Sequence, residues 1–323
     1  MTPLPDTTLS CCVCGATEAA PWRVGRDLLL GGDATFRAVR CLRCGTRRLD
    51  PRPPADDMAR YYAPATYARA EGADSEVGKR LDAYSARLAD KVRSVSNARN
   101  PGRALDVGCG DGRFLAALRA RGWEVAGTET DPVAAELARG RTGATIYEDT
   151  LDALPGDAGP FDLVSLVHVL EHVPDPRATL ADCLRLLHPG GKLLLALPNA
   201  ASAEAALFGS AWYHLDLPRH LWGFTPRSLT RLLEETGFRV RDVAYTPFLF
   251  APQSAINAAR RGRAATAVSG AGEEPTTGLA RREGGAAKTR VFLGLLRLSD
   301  RLGRAVPGEI MEVIATKPEG TAA

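Results

Sequence analysis

Between residues 103 and 250, short apolar runs alternate with longer stretches whose apolar residues recur every third or fourth position. The first kind reads as strands buried on both faces, the second as amphipathic helices that cover them. The strands are a short run from Arg103 that ends at Asp106, a run from Trp123 that ends at Glu129, Thr145–Asp149, Phe161–His168, Lys192–Leu197 and Phe238–Tyr245. Helices fall at Pro132–Arg139, opened by Asp131-Pro132, at 176–187 and at Pro226–Thr236. Such alternation predicts a mostly parallel sheet with right-handed crossovers. Ahead of it, Val77, Leu81, Tyr84, Leu88 and Val92 lie at helical spacing and predict an amphipathic helix over 76–98.

The first fifty residues follow a different pattern. Cys11-Cys-Val-Cys14-Gly and Cys41-Leu-Arg-Cys44-Gly each offer two thiolates to one metal, so Cys11, Cys14, Cys41 and Cys44 can complete a tetrahedral Zn²⁺ site. Cys12 is an alternative to Cys11, with poorer spacing. Four protein ligands leave no open position, which favours a structural ion over a catalytic one. Trp22–Leu30 and Thr35–Arg40 read as strands joined by Gly31-Gly32-Asp33, and the whole as a zinc ribbon. In a reducing compartment disulfides are the weaker explanation. Asp50-Pro-Arg-Pro-Pro is a stiff linker into the tyrosine-rich segment Tyr61–Tyr67. Those tyrosines either pack the ribbon on the core or line an active site, and packing is the simpler reading. The expected organisation is a ribbon over 1–50, a linker and helical region over 51–100, and the main domain over 101–323 with an insertion at 251–305.

Candidate chemistry concentrates at the first strand of the main domain. Asp106 ends that strand, and Gly108, Gly110 and Gly112 make a turn tight enough for a ligand to approach the backbone. Amides of the next helix point at the same place. Glu129 ends the second strand, where an acid can bind both hydroxyls of a ribose. The spacing is GxGxG rather than GxGxxG, with the acid just before it, which disfavours a pyrophosphate. This arrangement resembles the S-adenosylmethionine (SAM) site of class I methyltransferases. The resemblance covers roughly 103–245 and includes Leu170-Glu-His172-Val, similar to the quinone-precursor O-methyltransferases. It implies a Rossmann-like α/β fold whose seven-stranded sheet ends in an antiparallel strand, for which Glu309–Thr316 is the candidate. It also implies that Asp106 and the glycine loop hold the methionine part, that Glu129 holds the ribose, and that Asp149 meets the adenine, although Glu148 and Asp149 read equally as a solvated loop. His168 is expected to line the SAM pocket.

Methyl transfer from a sulfonium requires an aligned acceptor, exclusion of water and removal of a proton. Trp212–Phe224 contains His214 and His220 among several aromatics, and follows the fifth strand, where acceptor-binding segments cover the carboxyl ends of a sheet. An imidazole there suits proton removal; packing or capping is the plainer role for His220. Zinc ribbon, tyrosine-rich linker and SAM domain in this order also resemble the deoxysugar C-methyltransferases. That likeness implies His220 as base, with Tyr67 or Tyr62 at the acceptor. Arg219 stands where those enzymes have Glu, which suits an anionic acceptor. They also carry a further C-terminal domain of substantial size, for which 323 residues leave no room, so the match is to the broader zinc-ribbon group. His172, beside Glu171, is the second candidate base.

A net charge of +3 and a ribbon without a basic-aromatic surface argue against nucleic acid, and 45% apolar content is ordinary for a globular protein. No secretory signal or spanning run is visible, so a cytoplasmic location is expected. Within the insertion, 261–290 reads as a flexible loop. Residues 290–304 read as a basic amphipathic helix that covers the core or docks on a membrane surface or partner protein. The leading expectation is a SAM-dependent methyltransferase acting on a small molecule such as a sugar, glycan precursor or secondary metabolite. An RNA-modifying methyltransferase and a non-catalytic binding protein of the same fold are the alternatives.

Overall fold

The computed structural model describes residues 9–62, 75–95, 101–155, 158–246, 252–259 and 308–320. The ribbon contributes β1 (Ala19–Arg26), β2 (Thr35–Cys41) and β3 (Arg47–Leu49), paired antiparallel in sequence order. β1 stops four residues short of the expected strand end. Asp27 Oδ1 accepts from the amides of Leu29 (2.8 Å) and Leu30 (3.0 Å), taking those donors out of the ladder. A helical turn, α1 (Ala55–Met58), and the long α2 (Glu76–Val95) lead into the main domain.

There the chain runs through β4 (Arg103–Val107), α3 (Arg113–Arg119), β5 (Glu124–Thr128), α4 (Pro132–Thr142) and β6 (Thr145–Tyr147). It continues through β7 (Phe161–Val167), α5 (Pro176–Leu186), β8 (Leu187–Pro198) and α6 (Ala203–Phe208). The last described elements are β9 (Trp222–Gly223), α7 (Pro226–Glu235), β10 (Arg239–Thr246) and β11 (Ile310–Thr316). The helix starts follow the chemistry of the sequence: Asp131 and Asp175 each cap a helix whose next residue is proline.

Seven strands form one sheet in the order β10-β11-β8-β7-β4-β5-β6. β5 and β7 both pair parallel with β4, and β11 lies antiparallel between β8 and β10. The strand order therefore reverses at β4, and the cleft opens beyond its carboxyl end, at the start of the Asp106–Gly112 turn. Leu88, Val92, Phe114 and Leu118 cover one face together with sheet residues Leu163 and Leu194. The other face packs under α5 and α7, and ribbon residues Val13, Phe36 and Leu49 join the same apolar cluster. Ribbon and main domain thus share a core.

A two-residue pairing makes that union explicit. β9, inside the segment after β8, adds to β3 through Arg47↔Gly223 and Arg48↔Trp222. Nothing in the sequence pattern indicates this strand, because two residues are too short for periodicity. The linker guanidinium of Arg52 lies 4.3 Å over the Trp222 ring, and Arg177 donates to the backbone carbonyls of Cys12 (2.6 Å) and Val13 (2.5 Å). No described helix is long and apolar enough to cross a membrane. Residues 290–304 and nearly all of the 251–305 insertion lie outside the described residues, apart from a helix at 252–259.

Candidate active site

A cavity of about 710 Å³ occupies the cleft beyond β4. At one end β4 delivers Asp106, which is buried and accepts from Ser165 Oγ at 2.7 Å. Burial pushes its carboxyl up to about 7; the Ser165 hydrogen bond opposes that shift and the nearby Glu129 charge adds to it. The chain then turns through left-handed glycines into α3. A Cβ on Gly112 would lie 2.9 Å from Ala138 Cα, so this glycine lets α3 and α4 approach. A Cβ on Gly110, at φ +55°, would meet no atom within 4 Å. It would project into space that the turn leaves open. Gly108 completes the turn, with its amide held by Thr128 Oγ1 at 3.2 Å. Glu129 shapes the rim: its Oε2 accepts from Gly110 N (2.8 Å) and its Oε1 from Asp131 N (2.9 Å). Each oxygen keeps lone-pair capacity for a ligand hydroxyl.

At the other end the cavity is lined by a cluster of histidines. His172, after β7, and His220, from the segment after β8, meet edge to face with centroids 4.5 Å apart. Two backbone bonds bring them together, because the Glu171 carbonyl accepts from Leu221 N (2.9 Å) and Trp222 N (3.1 Å). His220 Nδ1 lies 2.8 Å from the His214 carbonyl, an acceptor only, so Nδ1 carries the proton and Nε2 presents a lone pair. Asp216 Oδ2 sits 3.8 Å from that Nε2. Tyr62 Oη lies 3.0 Å from His172 Nδ1. Burial depresses both imidazoles, His172 to about 4; the His220 charge adds to the shift at His172 and the His214 charge to that at His220, while Glu171 and Asp216 oppose both. Below them Glu171 is 1% exposed. Burial raises its carboxyl, but the His168 hydrogen bond and the charges of His172 and His220 prevail and hold it at about 2. Glu171, His172 and His220 offer ligand atoms within 4.8 Å of one another, so this cluster can take up a proton or hold a cation. His168 lines the same cavity and stacks on His214 at 5.8 Å. His168 (φ 58°) and Asp216 (φ 28°) both line the cavity and are non-glycine residues held at positive φ.

Asp149 and Arg219 do not lie where the sequence pattern put them. Asp149 is exposed, its carboxylate accepts from the amide of Thr150 at 2.8 Å, and it does not line the cavity. The strand that was to carry it inward ends at Tyr147. Tyr67 lies outside the described residues. The tyrosine pair divides its work: Tyr61 packs edge-on against Phe36 at 5.6 Å, while Tyr62 enters the cavity. Arg219 is not presented to an acceptor. It is 0% exposed, forms a two-pronged pair with Asp27 (2.7 and 2.8 Å), and is held by Asp216 at 2.6–3.1 Å. Removing one partner of such a buried pair costs about 3–5 kcal/mol. Asp27 and Asp216 could not be found from sequence, since both read as ordinary loop acids until the fold sets them around one guanidinium.

In the ribbon, Cys11 Sγ lies 3.4 Å from Cys44 Sγ and Cys14 Sγ 3.6 Å from Cys41 Sγ, and all four sulfurs fall within 4.8 Å. Zn–S bonds of about 2.3 Å in a tetrahedron put sulfurs about 3.8 Å apart, so this donor set fits a tetrahedral metal. Cys12 is outside the cluster.

Residues 78–243 match the family model described as a methyltransferase domain. The ubiquinone biosynthesis O-methyltransferase of Xanthomonas axonopodis pv. citri is 34% identical over 154 residues, covering 44% of this chain and 64% of that protein. The enzyme of the same name from Xanthomonas oryzae pv. oryzae is 34% identical over 177 residues, 51% of this chain and 70% of that one. This chain thus spans less than two thirds of the first relative's length. Among solved structures, a SAM-dependent methyltransferase from Archaeoglobus fulgidus superposes with TM-score 0.46 at 19% identity, covering 73% of this chain and 94% of that one.

Proposed function

Because the chain belongs to the methyltransferase-domain family, we propose that it transfers a methyl group from SAM to a hydroxyl of a small-molecule acceptor. One observation carries this reading: a single cavity joins the Asp106–Gly110–Glu129 cradle to the His172–His220–Tyr62 cluster. Its volume suits a small organic ligand beside a nucleoside rather than a folded RNA.

When bound, SAM supplies an activated methyl carbon. The rest falls to the protein. A cationic amino group beside Asp106 would favour its carboxylate form, against the burial that now raises it. Glu129 can accept from ribose hydroxyls without releasing the two loop amides it already holds. Gly110 leaves the backbone open where a side chain would intrude. At the acceptor, His220 Nε2 takes the hydroxyl proton, and Asp216 and Glu171 stabilise the imidazolium that forms. Tyr62 and His172 orient the acceptor oxygen through their shared hydrogen bond. Ser210, Tyr213, the stretch 214–217 and His220, with ribbon residues Arg26, Leu28 and Leu29, supply part of the cavity wall.

The test is transfer of label from methyl-labelled SAM into source-cell extract separated into small-molecule, RNA and protein fractions. Label in the small-molecule fraction is expected. Label in RNA, lost steeply as salt rises, would replace this reading with an RNA-modifying one.

The four thiolates of the ribbon are assigned to a structural Zn²⁺. The ion would fix the ribbon that carries Asp27 to Arg219 and β3 to β9. Stripping it with a chelator is therefore expected to lower turnover by at least about tenfold, because metal binding and folding are coupled in small metal sites. SAH affinity by calorimetry should survive, since Asp106, Gly110 and Glu129 lie outside the ribbon. Equal loss of both would mean that the ribbon supports the whole domain instead.

A further inference from the structure

The ribbon sheet sets three arginines beside one another with no acid between them. Arg40 of β2 and Arg47 of β3 are direct cross-strand partners. Arg23 of β1 stands opposite Ala38, two residues before Arg40, so it lies on the same face of the sheet. A bulge drops Trp22 out of the β1–β2 register. The guanidinium carbons of Arg23 and Arg47 lie 5.3 and 5.2 Å from the centre of its ring. The sequence pattern shows no basic-aromatic surface in the ribbon, because the members of this one lie on three strands and only the pairing gathers them.

Like charges placed directly opposite on neighbouring strands are destabilising. Elsewhere in the ribbon an acid answers the base: Arg26 pairs with Asp33 at 3.1 Å, and Arg48 with Asp50 at 3.7 Å. Among the described residues, no carboxylate pairs with Arg23, Arg40 or Arg47. Arg23 and Arg47 each donate through Nη1 to a backbone carbonyl, of Trp22 and Gly45 respectively. The Nε of both is buried and meets no hydrogen-bond partner. Arg40 is exposed. Burial pulls the Arg47 guanidinium down to about 10, the charges of Arg40 and Arg23 add to that, and only the Cys44 sulfur opposes it. Unanswered guanidiniums fixed on one sheet face are the recognition chemistry of an oxyanion.

We propose that Arg23, Arg40 and Arg47 form a phosphate-binding site on the ribbon, whose ligand is a phosphate dianion, free or carried as a monoester by a small molecule. None of the three lines the large cavity, so the site is separate from the candidate active site. It stands independently of the methyltransferase reading. Three guanidiniums around one ring match a single phosphate, whereas a nucleic-acid strand calls for a longer basic track.

The probes are inorganic phosphate and glucose 6-phosphate, titrated by calorimetry into the zinc-loaded full chain in chloride buffer of fixed ionic strength. Inorganic phosphate is expected to bind with a Kd of about 1 mM or tighter. Arg40→Gln should weaken it by about tenfold or more, the loss of a hydrogen bond between two charged groups. Arg26→Gln should leave it within about twofold, because Asp33 already answers that charge. Arg40→Glu should abolish binding and raise Tm in chloride alone, since an acid opposite Arg47 turns repulsion into a pair. Tighter binding of glucose 6-phosphate than of phosphate would make the natural ligand a monoester; equal or weaker binding would make it free phosphate. No heat with either probe, phosphate affinity unchanged in Arg40→Gln, or a lowered Tm in Arg40→Glu would each overturn the site. A single-stranded oligoribonucleotide that binds where inorganic phosphate does not would replace it with a nucleic-acid surface.

Discussion

His220→Ala is expected to lower kcat by about 10²–10⁴-fold, the range for removal of a positioned general base. SAH affinity should stay within about twofold, because no bond links His220 to the Asp106–Glu129 cradle. The argument is geometric. The His214 carbonyl fixes the proton on Nδ1, the ring lines the cavity, and Asp216 stands 3.8 Å from the Nε2 that would acquire the charge. The pH profile provides a second check. Burial lowers the His220 imidazole from its ordinary 6.5, with Asp216 and Glu171 opposing the shift and the charge of His214 adding to it. A base acts in its neutral form, so a lowered value keeps it competent as pH falls. The acid limb of kcat/KM should therefore lie below pH 6.5, and the rate at pH 6.5 should stay above half of its plateau. A limb above pH 7 would exclude this imidazole. Full turnover by His220→Ala would move the proton-accepting role to His172, whose imidazole is lowered to about 4.

Glu129→Ala should have the opposite signature. One carboxylate holds Gly110 N and Asp131 N and is assigned the ribose hydroxyls as well. Hydrogen bonds to a charged group are worth about 1.5–3 kcal/mol each, so losing the ribose contacts and loosening the loop should weaken SAH binding by about 100-fold or more. Calorimetry on SAH measures it directly. Asp149→Ala is the matched control: that acid is exposed and off the cavity wall, and its removal should leave SAH affinity unchanged within error. If both variants bind SAH normally, the ribose is held elsewhere.

How much of this was legible depends on the range of the interactions involved. The alternating apolar runs predicted the α/β sheet because burial on both faces imposes a composition that a strand cannot hide. Two C-x2-C-G knuckles predicted four thiolates around one point, and the sulfurs do converge there. Asp106, the three glycines and Glu129 were readable because they occupy fixed offsets within one βα unit and the next strand. All of these are local patterns, and the chain carries them without help from distant residues.

Elsewhere the same residue types misled. Arg219 looked like an anion binder, and only the fold reveals Asp27, 192 residues away in sequence, as its partner. Tyr62 and Tyr61 are neighbours of one type, yet one faces the cavity and the other Phe36, a choice made by the direction of the turn after α1. β9 is too short to show a period, and exists because β3 needs an edge partner. Asp149 ends an acidic run at a strand tip, but the strand stops early and leaves it in water. By itself the sequence determined the fold class, the thiolate cluster and the glycine turn after Asp106. The tertiary structure decided the acceptor end: which imidazole carries a bare nitrogen, which acid neutralises Arg219, and which ribbon residues face the cavity. Those depend on long-range contacts that place side chains by packing and charge pairing, and no periodicity in the chain encodes them.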